Sequence, residues 1–272
     1  MLRDPALAGS SQTAFAKGAL GILHRLPPRR RARAFDDLLS HPVVVDTPHG
    51  PIRFLNHSRN SCWRAETILT KEPSSLKWID AMTPGSVFWD IGANIGVLTL
   101  YAASRRDLRV WAFEPAAVNY YNLTANCELN GMSNEIHCLL LGFGKTPELA
   151  ELRVSQLNSA GAFSFKPKKG REDIADRQTV QIWTIDDLIE QYKMQCPNYI
   201  KIDVHGLTQE ILAGAARTLS RPELRQIQIE AREHGANGRL ISEFLAPFGF
   251  SIVQRNMKRD GTTQGDLVFG RT

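Results

Sequence analysis

Short apolar runs alternate with stretches of helical periodicity from residue 76 onward. This alternation is typical of a parallel sheet covered by helices, because a strand buried on both faces is apolar at consecutive positions. We therefore predict an α/β fold. The predicted strands are Val87–Ile91, Val110–Phe113, Ile136–Leu141, Tyr199–Val204, Gln226–Glu230, Ser251–Gln254 and Asp266–Phe269, and the predicted helices are Ile95–Ser104, Ala116–Leu129, Thr184–Tyr192, Thr208–Leu219 and Gly238–Leu245.

The residues ahead of this alternation predict a different organisation. Residues 1–40 form a basic N-terminal extension. Residues 41–84 predict a β-hairpin followed by a helix cap, because two β-rich runs, Val43–Thr47 and Ile52–Leu55, flank the turn residues Pro48-His49-Gly50-Pro51. The main domain is then expected over residues 85–272.

One segment inside the main domain breaks the alternation. Residues 143–178 combine scattered charge with Gly144, Pro147, Gly161 and Pro167. Such a composition predicts an irregular insertion over the edge of the sheet where ligands bind.

Composition and charge narrow the class of partner. The chain has 272 residues, 43% hydrophobic and 22% charged, which suits one α/β domain with a short additional segment. The formal net charge is +5, and residues 1–40 account for +4 of it. Because a nucleic-acid enzyme concentrates positive charge around its cleft, we expect no nucleic-acid partner. The basic extension is expected to be solvated, with weak contact to a membrane surface as the alternative.

The cysteines and the apolar runs predict a cytoplasmic protein. Cys62, Cys127, Cys138 and Cys196 form no C-x-x-C pair and no metal-ligand spacing, so neither a zinc site nor a disulfide framework is expected. No apolar stretch is long enough for a transmembrane helix, and the apolar run near the start lacks the features of a signal peptide.

The turn after the first predicted strand of the main domain is the strongest candidate for a ligand site. Val87–Ile91 runs into Gly92 and Gly96, and ligands of open parallel sheets bind beyond the carboxyl ends of the strands. Glycine permits close backbone approach there. The next strand ends in Glu114, 22 residues after Gly92, where a carboxylate accepts hydrogen bonds from ribose hydroxyls.

The spacing of the glycines discriminates between nucleoside cofactors. A dinucleotide site requires G-x-G-x-x-G, whereas this chain has G-x-x-x-G and no sign of a pyrophosphate cradle. S-adenosylmethionine (SAM) is therefore favoured over NAD. The residues expected to bind it are Asp90, Gly92, Ala93, Asn94, Gly96, Glu114, Pro115 and Asn119.

An ordered series of short motifs extends this pattern over roughly residues 43–270. The motifs are Lys71-Glu72-Pro73, Trp78-Ile79-Asp80, Val87 to Gly96, Ala112-Phe113-Glu114-Pro115, Asn119, Asn126, Leu129-Asn130, Ile185-Asp186-Asp187-Leu188, Ile200-Lys201-Ile202-Asp203-Val204, Gly206 and Ile229-Glu230. In this combination the chain resembles the FkbM family of SAM-dependent methyltransferases. The resemblance implies the class I (Rossmann-like) fold, with a seven-stranded, mostly parallel sheet whose last strand is antiparallel. It also implies O-methylation of a sugar, polyketide or similar small molecule.

One motif departs from the pattern of the family. The family usually reads Asp-Val-Glu-Gly followed two residues later by Glu, whereas this chain has His205 and Thr208 at the two acidic positions. That edge of the fold faces the methyl acceptor. Three interpretations of this departure are open: a changed acceptor, a changed base or weakened activity.

The candidate catalytic residues follow from the chemistry of methyl transfer. The enzyme mainly aligns acceptor, methyl group and sulfur and excludes water, but a hydroxyl acceptor must also lose its proton. A neutral imidazole suits that step, so His205 is the first candidate base. Asp203 is the second candidate, as base or orienting partner, and Glu230 is a third. The alternatives are a packing histidine and an ordinary ion pair.

Several other residues carry a secondary interpretation. Arg64 and Lys71 are candidates to close over the cofactor carboxylate, with solvated charges as the preferred interpretation. His234 is a weaker catalytic candidate, and Phe163 and Phe165 are candidates for an apolar acceptor wall.

Two other function classes stay open at this point. One is N-methylation of nucleic acid or protein, which usually places an Asn/Asp-Pro-Pro-Tyr segment where this chain reads Asp203-Val204-His205-Gly206. The other is a non-catalytic SAM-binding scaffold, and an oxidoreductase is a more distant alternative. The acceptor is expected to be a small molecule or glycan, no metal is expected, and the oligomeric state is not predicted.

Overall fold

The computed structural model describes residues 21, 25–39, 41–154, 176–204, 206–232, 235–257 and 264–271. The chain divides into two compact units, Met1–Pro42 and Val43–Thr272. The described part of the first unit is dominated by the helix Pro28–Leu39. This helix, α1, begins at a proline, whose fixed φ angle suits the first helical turn.

The strands of the second unit form a hairpin, a large sheet and a small sheet. Those in the described residues are, in chain order, β1 (Val43–Thr47), β2 (Gly50–Phe54), β3 (Val87–Ile91), β4 (Arg109–Phe113), β5 (Ile136–Leu139), β6 (Gly142–Phe143), β7 (Glu148–Val154), β8 (Asp176–Trp183), β9 (Tyr199–Ile202), β10 (Gln226–Arg232), β11 (Phe250–Met257) and β12 (Gln264–Arg271). The pairing of β1 with β2 confirms the predicted hairpin.

The large sheet has the strand order β11-β12-β10-β9-β3-β4-β5. Strands β10, β9, β3, β4 and β5 are parallel, and β12 is antiparallel to both β10 and β11. The expected seven-stranded sheet with an antiparallel last strand is therefore confirmed. Its topological switch point lies between β3 and β9, where the chain reverses direction across the sheet and where ligands of open α/β sheets bind.

The helices of the second unit cover both faces of this sheet. The described ones are α2 (Arg59–Glu66), α3 (Ile68–Lys71), α4 (Pro73–Asp80), α5 (Val97–Ser104), α6 (Ala117–Leu129), α7 (Ile185–Tyr192), α8 (Thr208–Ala213), α9 (Ala216–Leu219) and α10 (Ala236–Leu245). No helix in the described part of the chain is both long enough and apolar enough to cross a membrane.

Strand β3 shows how the sequence builds this layered core. Phe88 packs into the layer with the hairpin and helices α4 to α6, whereas Val87, Trp89 and Ile91 pack into the layer with α7, α8 and α10. Successive side chains of a strand point to opposite faces, so a strand with apolar residues on both faces needs helices on both sides.

The segment at residues 143–178 corrects one prediction. Its described ends are not irregular, because β6, β7 and β8 form a three-stranded sheet. Val180 and Ile182 face a small core with Leu152, and Gln181 between them points outward. This period of two is a strand pattern, whereas the glycines and prolines that predicted an irregular segment precede β8 in the chain.

Among the other boundaries that differ from prediction, two bear on the candidate site. The helix expected over Thr208–Leu219 is divided into α8 and α9 at Gly214, where a Cβ atom would lie 2.2 Å from the Gly144 carbonyl oxygen. Strand β9 ends at Ile202, two residues earlier than predicted, so that Asp203 and Val204 belong to the loop beyond the sheet. That loop enters the candidate site.

Candidate active site

The turn that joins β3 to α5 depends on a close approach between two backbone segments. Gly92 has φ +84°, and a Cβ atom at this position would lie 2.3 Å from the Asp203 carbonyl oxygen. The Asp203 amide also donates to the Ile91 carbonyl over 3.0 Å. Because only glycine tolerates both constraints, Gly92 lets the loop after β9 lie directly against the turn after β3.

The rest of the turn points backbone groups toward the neighbouring strand. Asn94 has φ +55° and Gly96 has φ +85°, and a Cβ atom on Gly96 would lie 2.5 Å from Leu123 Cδ1 of α6. The amides of Gly92 and Ala93 both donate to the Phe113 carbonyl, over 2.9 and 3.1 Å. The turn is thus fixed against the end of β4 and against α6.

Glu114, directly after β4, is the carboxylate that the sequence predicted for this turn. It is 5% exposed. Its Oε2 atom accepts from the Asn94 amide over 2.8 Å, and its Oε1 atom accepts from the Ala116 amide over 2.9 Å and from Asn119 Nδ2 over 3.5 Å. Burial raises the pKa of Glu114 to about 7, although these hydrogen bonds oppose the shift.

Two residues that the sequence analysis did not assign hold this part of the structure in place. Gln178 of β8 donates to the Pro115 carbonyl over 2.8 Å and accepts from the Ala117 amide over 3.0 Å. Asn126 of α6 donates to the Ile95 carbonyl over 2.9 Å and accepts from the Leu55 amide over 2.7 Å. Asn126 belongs to the ordered series of family motifs. Apart from the alternation of side chains along β8, nothing in the sequence indicates the role of Gln178.

A cleft with about 490 Å³ of space, open to solvent, lies beside the turn. Four predicted cofactor residues and one predicted catalytic residue form part of its wall: Asp90, Gly92, Ala93, Asn94 and Asp203. The cap helices contribute Arg64, Thr67, Ile68 and Lys71. Glu114, Pro115 and Asn119 lie behind the turn and are not part of this wall.

Asp90, the polar residue of β3, forms part of the cleft wall. It is 2% exposed, and its Oδ2 atom accepts from Thr99 Oγ1 of α5 over 2.6 Å. Burial raises the pKa of Asp90, whereas the hydrogen bond from Thr99 and the charge of Lys201 lower it.

Lys201 of β9 is a functional candidate that the sequence did not predict, although it lies within one of the family motifs. Its side chain is 3% exposed, it lies on the cleft wall, and its Nζ atom is 3.5 Å from Asp203 Oδ2. Burial alone would lower the pKa of Lys201. The carboxylates around it, in the order Asp203, Asp266, Glu72 and Asp90, outweigh this effect and raise the pKa above its ordinary value.

These carboxylates reach Lys201 from different parts of the fold, and we refer to Lys201, Glu72, Asp90, Asp203 and Asp266 as the Lys201 cluster. Glu72 comes from the junction of α3 and α4, and Asp266 comes from β12. Burial is the first cause of the raised pKa values of both Glu72 and Asp266, and Lys201 opposes it. Electrostatic attraction within the cluster therefore links the cap to the centre of the sheet.

A hydroxyl at the start of α4 links two members of this cluster. Ser75 Oγ lies 3.4 Å from Glu72 Oε2 and 3.3 Å from Asp266 Oδ2, and it accepts from Gln228 Nε2 over 3.1 Å. One hydroxyl hydrogen cannot serve both carboxylates at once. The two carboxylates thus compete for a single donor.

The remaining predicted catalytic residues have different outcomes. His205, His234, Phe163 and Phe165 lie outside the described residues. Asp203 is on the cleft wall with its side chain 44% exposed. Glu230 lies opposite Asp266 in the β10–β12 pairing, and its charge raises the pKa of Asp266. It is adjacent to the Lys201 cluster and is not among the residues that line the cleft.

The strand order, the antiparallel β12 and the glycine turn at the switch point together define a class I methyltransferase fold. Within that class, the family model of the methyltransferase FkbM domain matches residues 90–252. The chain belongs to the FkbM methyltransferase family and is a methyltransferase.

Relatives with assigned activities match most of the chain. It is 24% identical over 237 residues to the hexuronic acid methyltransferase AglP of Haloferax volcanii, a match that covers 85% of this chain and 89% of the relative. It is 24% identical over 197 residues to the 31-O-demethyl-FK506 methyltransferase FkbM of Streptomyces tacrolimicus, with coverage of 63% and 75%.

A solved structure supports the fold. The crystal structure of methyltransferase FkbM from Methylobacillus flagellatus superimposes with a TM-score of 0.51 at 18% identity. The match covers 89% of this chain and 59% of the solved chain. At this identity the likeness establishes the fold and leaves the chemistry to the residues of the site.

Proposed function

We propose that this protein is a SAM-dependent O-methyltransferase that acts on a hydroxyl group of a small molecule, sugar or glycan. The observation that carries the proposal is the position of Glu114 beside the switch point of the sheet, where Oε2 accepts from the Asn94 amide of the turn and Oε1 accepts from the Ala116 amide after β4. A carboxylate at this place accepts both hydroxyls of a ribose. The names of the two relatives, which refer to a hexuronic acid and to a 31-O-demethyl compound, support an oxygen acceptor.

The proposed cofactor contacts use the turn and its immediate supports. A carboxylate accepts about four hydrogen bonds, and Glu114 already accepts three. The 3.5 Å contact from Asn119 is the weakest of them, so a ribose hydroxyl would replace it first. Because Glu114 is 5% exposed, cofactor binding requires the turn to open slightly.

Most of the other proposed contacts lie on the cleft wall. Gly92, Ala93 and Asn94 offer backbone to the nucleoside, and Gly96 and Pro115 shape its surroundings. Asp90 supplies a negative charge for the cationic methionine end of the cofactor. Arg64 and Lys71 of the cap line the same wall and would bind the methionine carboxylate.

The proposed acceptor side lies beyond β9. His205 would take the proton of the acceptor hydroxyl, Asp203 would orient that base or share its role, and Glu230 would contact the acceptor or the histidine. The methyl group passes from the sulfonium to the hydroxyl oxygen, and the sulfur leaves as a neutral thioether. The contribution of the protein is then alignment, exclusion of water and removal of one proton.

The first test of the proposal is calorimetric titration of the purified chain with SAM and, separately, with NAD. We expect SAM to bind with a Kd on the order of micromolar, equivalent to about 8 kcal/mol, and NAD not to bind. A positive result leads to an acceptor screen that begins with uronic acids and neutral sugars. Binding of NAD would contradict the proposal, and failure to bind either compound would indicate a scaffold that has lost its cofactor.

A histidine substitution tests the assignment of the base. In His205→Ala, turnover of an acceptor should fall by about 10²-fold or more, while SAM affinity stays close to that of the wild type. His137→Ala is the matched control, since His137 is an exposed histidine of β5 that stacks on Trp111. A collapse of SAM binding in His205→Ala would show that His205 is structural.

A further inference from the structure

Two thiols that are distant from the cleft described above meet at the outer edge of the large sheet. Cys127 lies in α6 and Cys138 lies in β5, and their Sγ atoms are 3.8 Å apart. Cys127 is 3% exposed, whereas Cys138 is half-buried. A disulfide needs an S–S distance of about 2.05 Å, so the two sulfur atoms must approach by less than about 2 Å to be joined.

The other two cysteines have different surroundings. Cys62 donates to Asn56 Oδ1, and Cys196 donates to the Pro197 carbonyl oxygen. Each of these two thiols is therefore hydrogen-bonded to an oxygen atom and not to a second sulfur. Cys62 and Cys196 serve as internal controls for the reactivity of Cys127 and Cys138.

Cys138 is half-buried and lies on the wall of a second cleft. This cleft contains about 890 Å³ of space open to solvent and is lined mainly by apolar side chains, among them Trp111, Tyr120, Leu139, Trp183 and Met194. Cys138 forms part of its wall, whereas Cys127 does not. Cys138 is thus the more exposed cysteine of the pair, and a reagent is expected to meet it first.

The hydrogen bond within the pair separates the roles of the two thiols. The contact between the two sulfur atoms lowers the pKa of Cys138 below its ordinary value, and it holds the pKa of Cys127 well above the usual range, as does the burial of Cys127. A thiolate is the nucleophilic form of cysteine. The more accessible sulfur is therefore also the one that ionises first.

We propose that Cys127 and Cys138 form an oxidant-sensitive modification site, in which Cys138 attacks a hydroperoxide and Cys127 then closes a disulfide. In the first step the Cys138 thiolate attacks the outer oxygen and the O–O bond breaks, which gives a sulfenic acid and an alkoxide. The alkoxide takes up a proton from solvent, equivalent to the one that the Cys138 thiol released on ionisation, and leaves as an alcohol. In the second step the Cys127 sulfur attacks the sulfenic sulfur and water leaves. Two thiols are oxidised, and one hydroperoxide is reduced to an alcohol and water.

Peptide mapping of the native protein tests this site directly. The folded chain is treated with cumene hydroperoxide, alkylated, and digested with a Glu-specific protease, which separates the two cysteines by cleavage after Glu128 and Glu135. We expect a disulfide-linked peptide pair that contains Cys127 and Cys138 and has lost two hydrogen atoms. Dithiothreitol should restore both peptides. Absence of this pair, or earlier oxidation of Cys62, would overturn the proposal.

Single substitutions distinguish the attacking thiol from the resolving thiol. In Cys127→Ser, dimedone should trap a sulfenic acid on Cys138, and in Cys138→Ser, Cys127 should stay unmodified. Cys62→Ser is the control variant and should form the same cross-link as the wild type. Modification of Cys127 in Cys138→Ser would contradict the assigned order of attack. SAM affinity of each reduced variant, measured alongside, shows that it is folded.

Discussion

Glu114 and Lys201 are two buried charged residues near the same edge of the sheet, and their surroundings differ. The partners of Glu114 are backbone amides and an asparagine side chain, which are neutral donors. Lys201 is surrounded by carboxylates, the nearest of which is 3.5 Å away. Burial therefore raises the pKa of Glu114 to about 7, whereas Coulomb attraction keeps Lys201 protonated.

This difference indicates two different uses of a buried charge. Glu114 changes its protonation state near neutral pH, so a ligand that donates hydrogen bonds to it can shift that state. Lys201 holds a fixed charge that offsets the repulsion among the carboxylates of its cluster. The first residue is suited to sensing a ligand, and the second is suited to holding the cap and the strand ends together.

The largest expected effect comes from removing the fixed charge. Lys201→Met leaves buried carboxylates without their cation, and breaking a buried ion pair in this way costs about 3–5 kcal/mol of unfolding free energy. This loss of unfolding free energy should be smaller at acidic pH. The folded-state pKa values of Glu72, Asp90 and Asp266 are already raised, so these groups destabilise the fold as pH rises, and this penalty is relieved as pH falls through those values.

Urea denaturation at about pH 7.5 and about pH 5.5 measures both effects. Lys77→Met is the matched control, because Lys77 is an exposed lysine of α4 in the same unit. A loss of stability in Lys201→Met that is no greater than the loss in Lys77→Met would show that the cluster does not depend on Lys201. A loss that grows in acid would contradict the role given to the carboxylates.

An intermediate effect on stability is expected at Gly92, where the turn beside Glu114 lies against the loop of the Lys201 cluster. Gly92→Ala places a Cβ atom 2.3 Å from the backbone oxygen of Asp203, which cannot move like a flexible side chain. We expect a loss of about 1–3 kcal/mol from this overpacking, in addition to the cost of the positive φ angle. Gly85→Ala is the control, because Gly85 has φ +78° and open space around its Cβ position. Equal losses of unfolding free energy in the two variants would refute a special contact at Gly92.

The sequence predicted the Glu114 region better than the Lys201 cluster. The Gly92 turn and Glu114 are adjacent to consecutive strands, so strand alternation alone places them together. The Lys201 cluster combines residues from the cap, β3, β9 and β12, which are up to 194 residues apart in the chain. No local pattern indicates which of these side chains meet.

The small sheet and the thiol pair show two other limits. The alternation of Val180 and Ile182 is visible in the sequence, but it covers too few residues to predict that the ends of residues 143–178 form strands. Cys127 and Cys138 are separated by 11 positions, and they meet only because α6 packs against β5 with those two faces together. Cysteine spacing identifies a short chelating motif, not a contact between a helix and a strand.

The smallest expected effect concerns the residue that changes its charge. If the ribose donates to ionised Glu114, SAM affinity should fall as pH falls through the pKa of about 7, because protonation removes an acceptor oxygen. One pH unit below that value, about a tenth of the sites remain ionised, which predicts an approximately tenfold rise in Kd. Titration calorimetry should also detect proton release on binding in this range.

Glu114→Gln should bind SAM several fold more weakly than the wild type above pH 7 and should lose the pH dependence. Glu128→Gln, at an exposed position of α6, is the control and should retain both the affinity and the pH dependence of the wild type. A wild-type affinity that is independent of pH would mean that the cofactor does not depend on the ionised form of Glu114, and unchanged affinity in Glu114→Gln would remove this residue from the cofactor site.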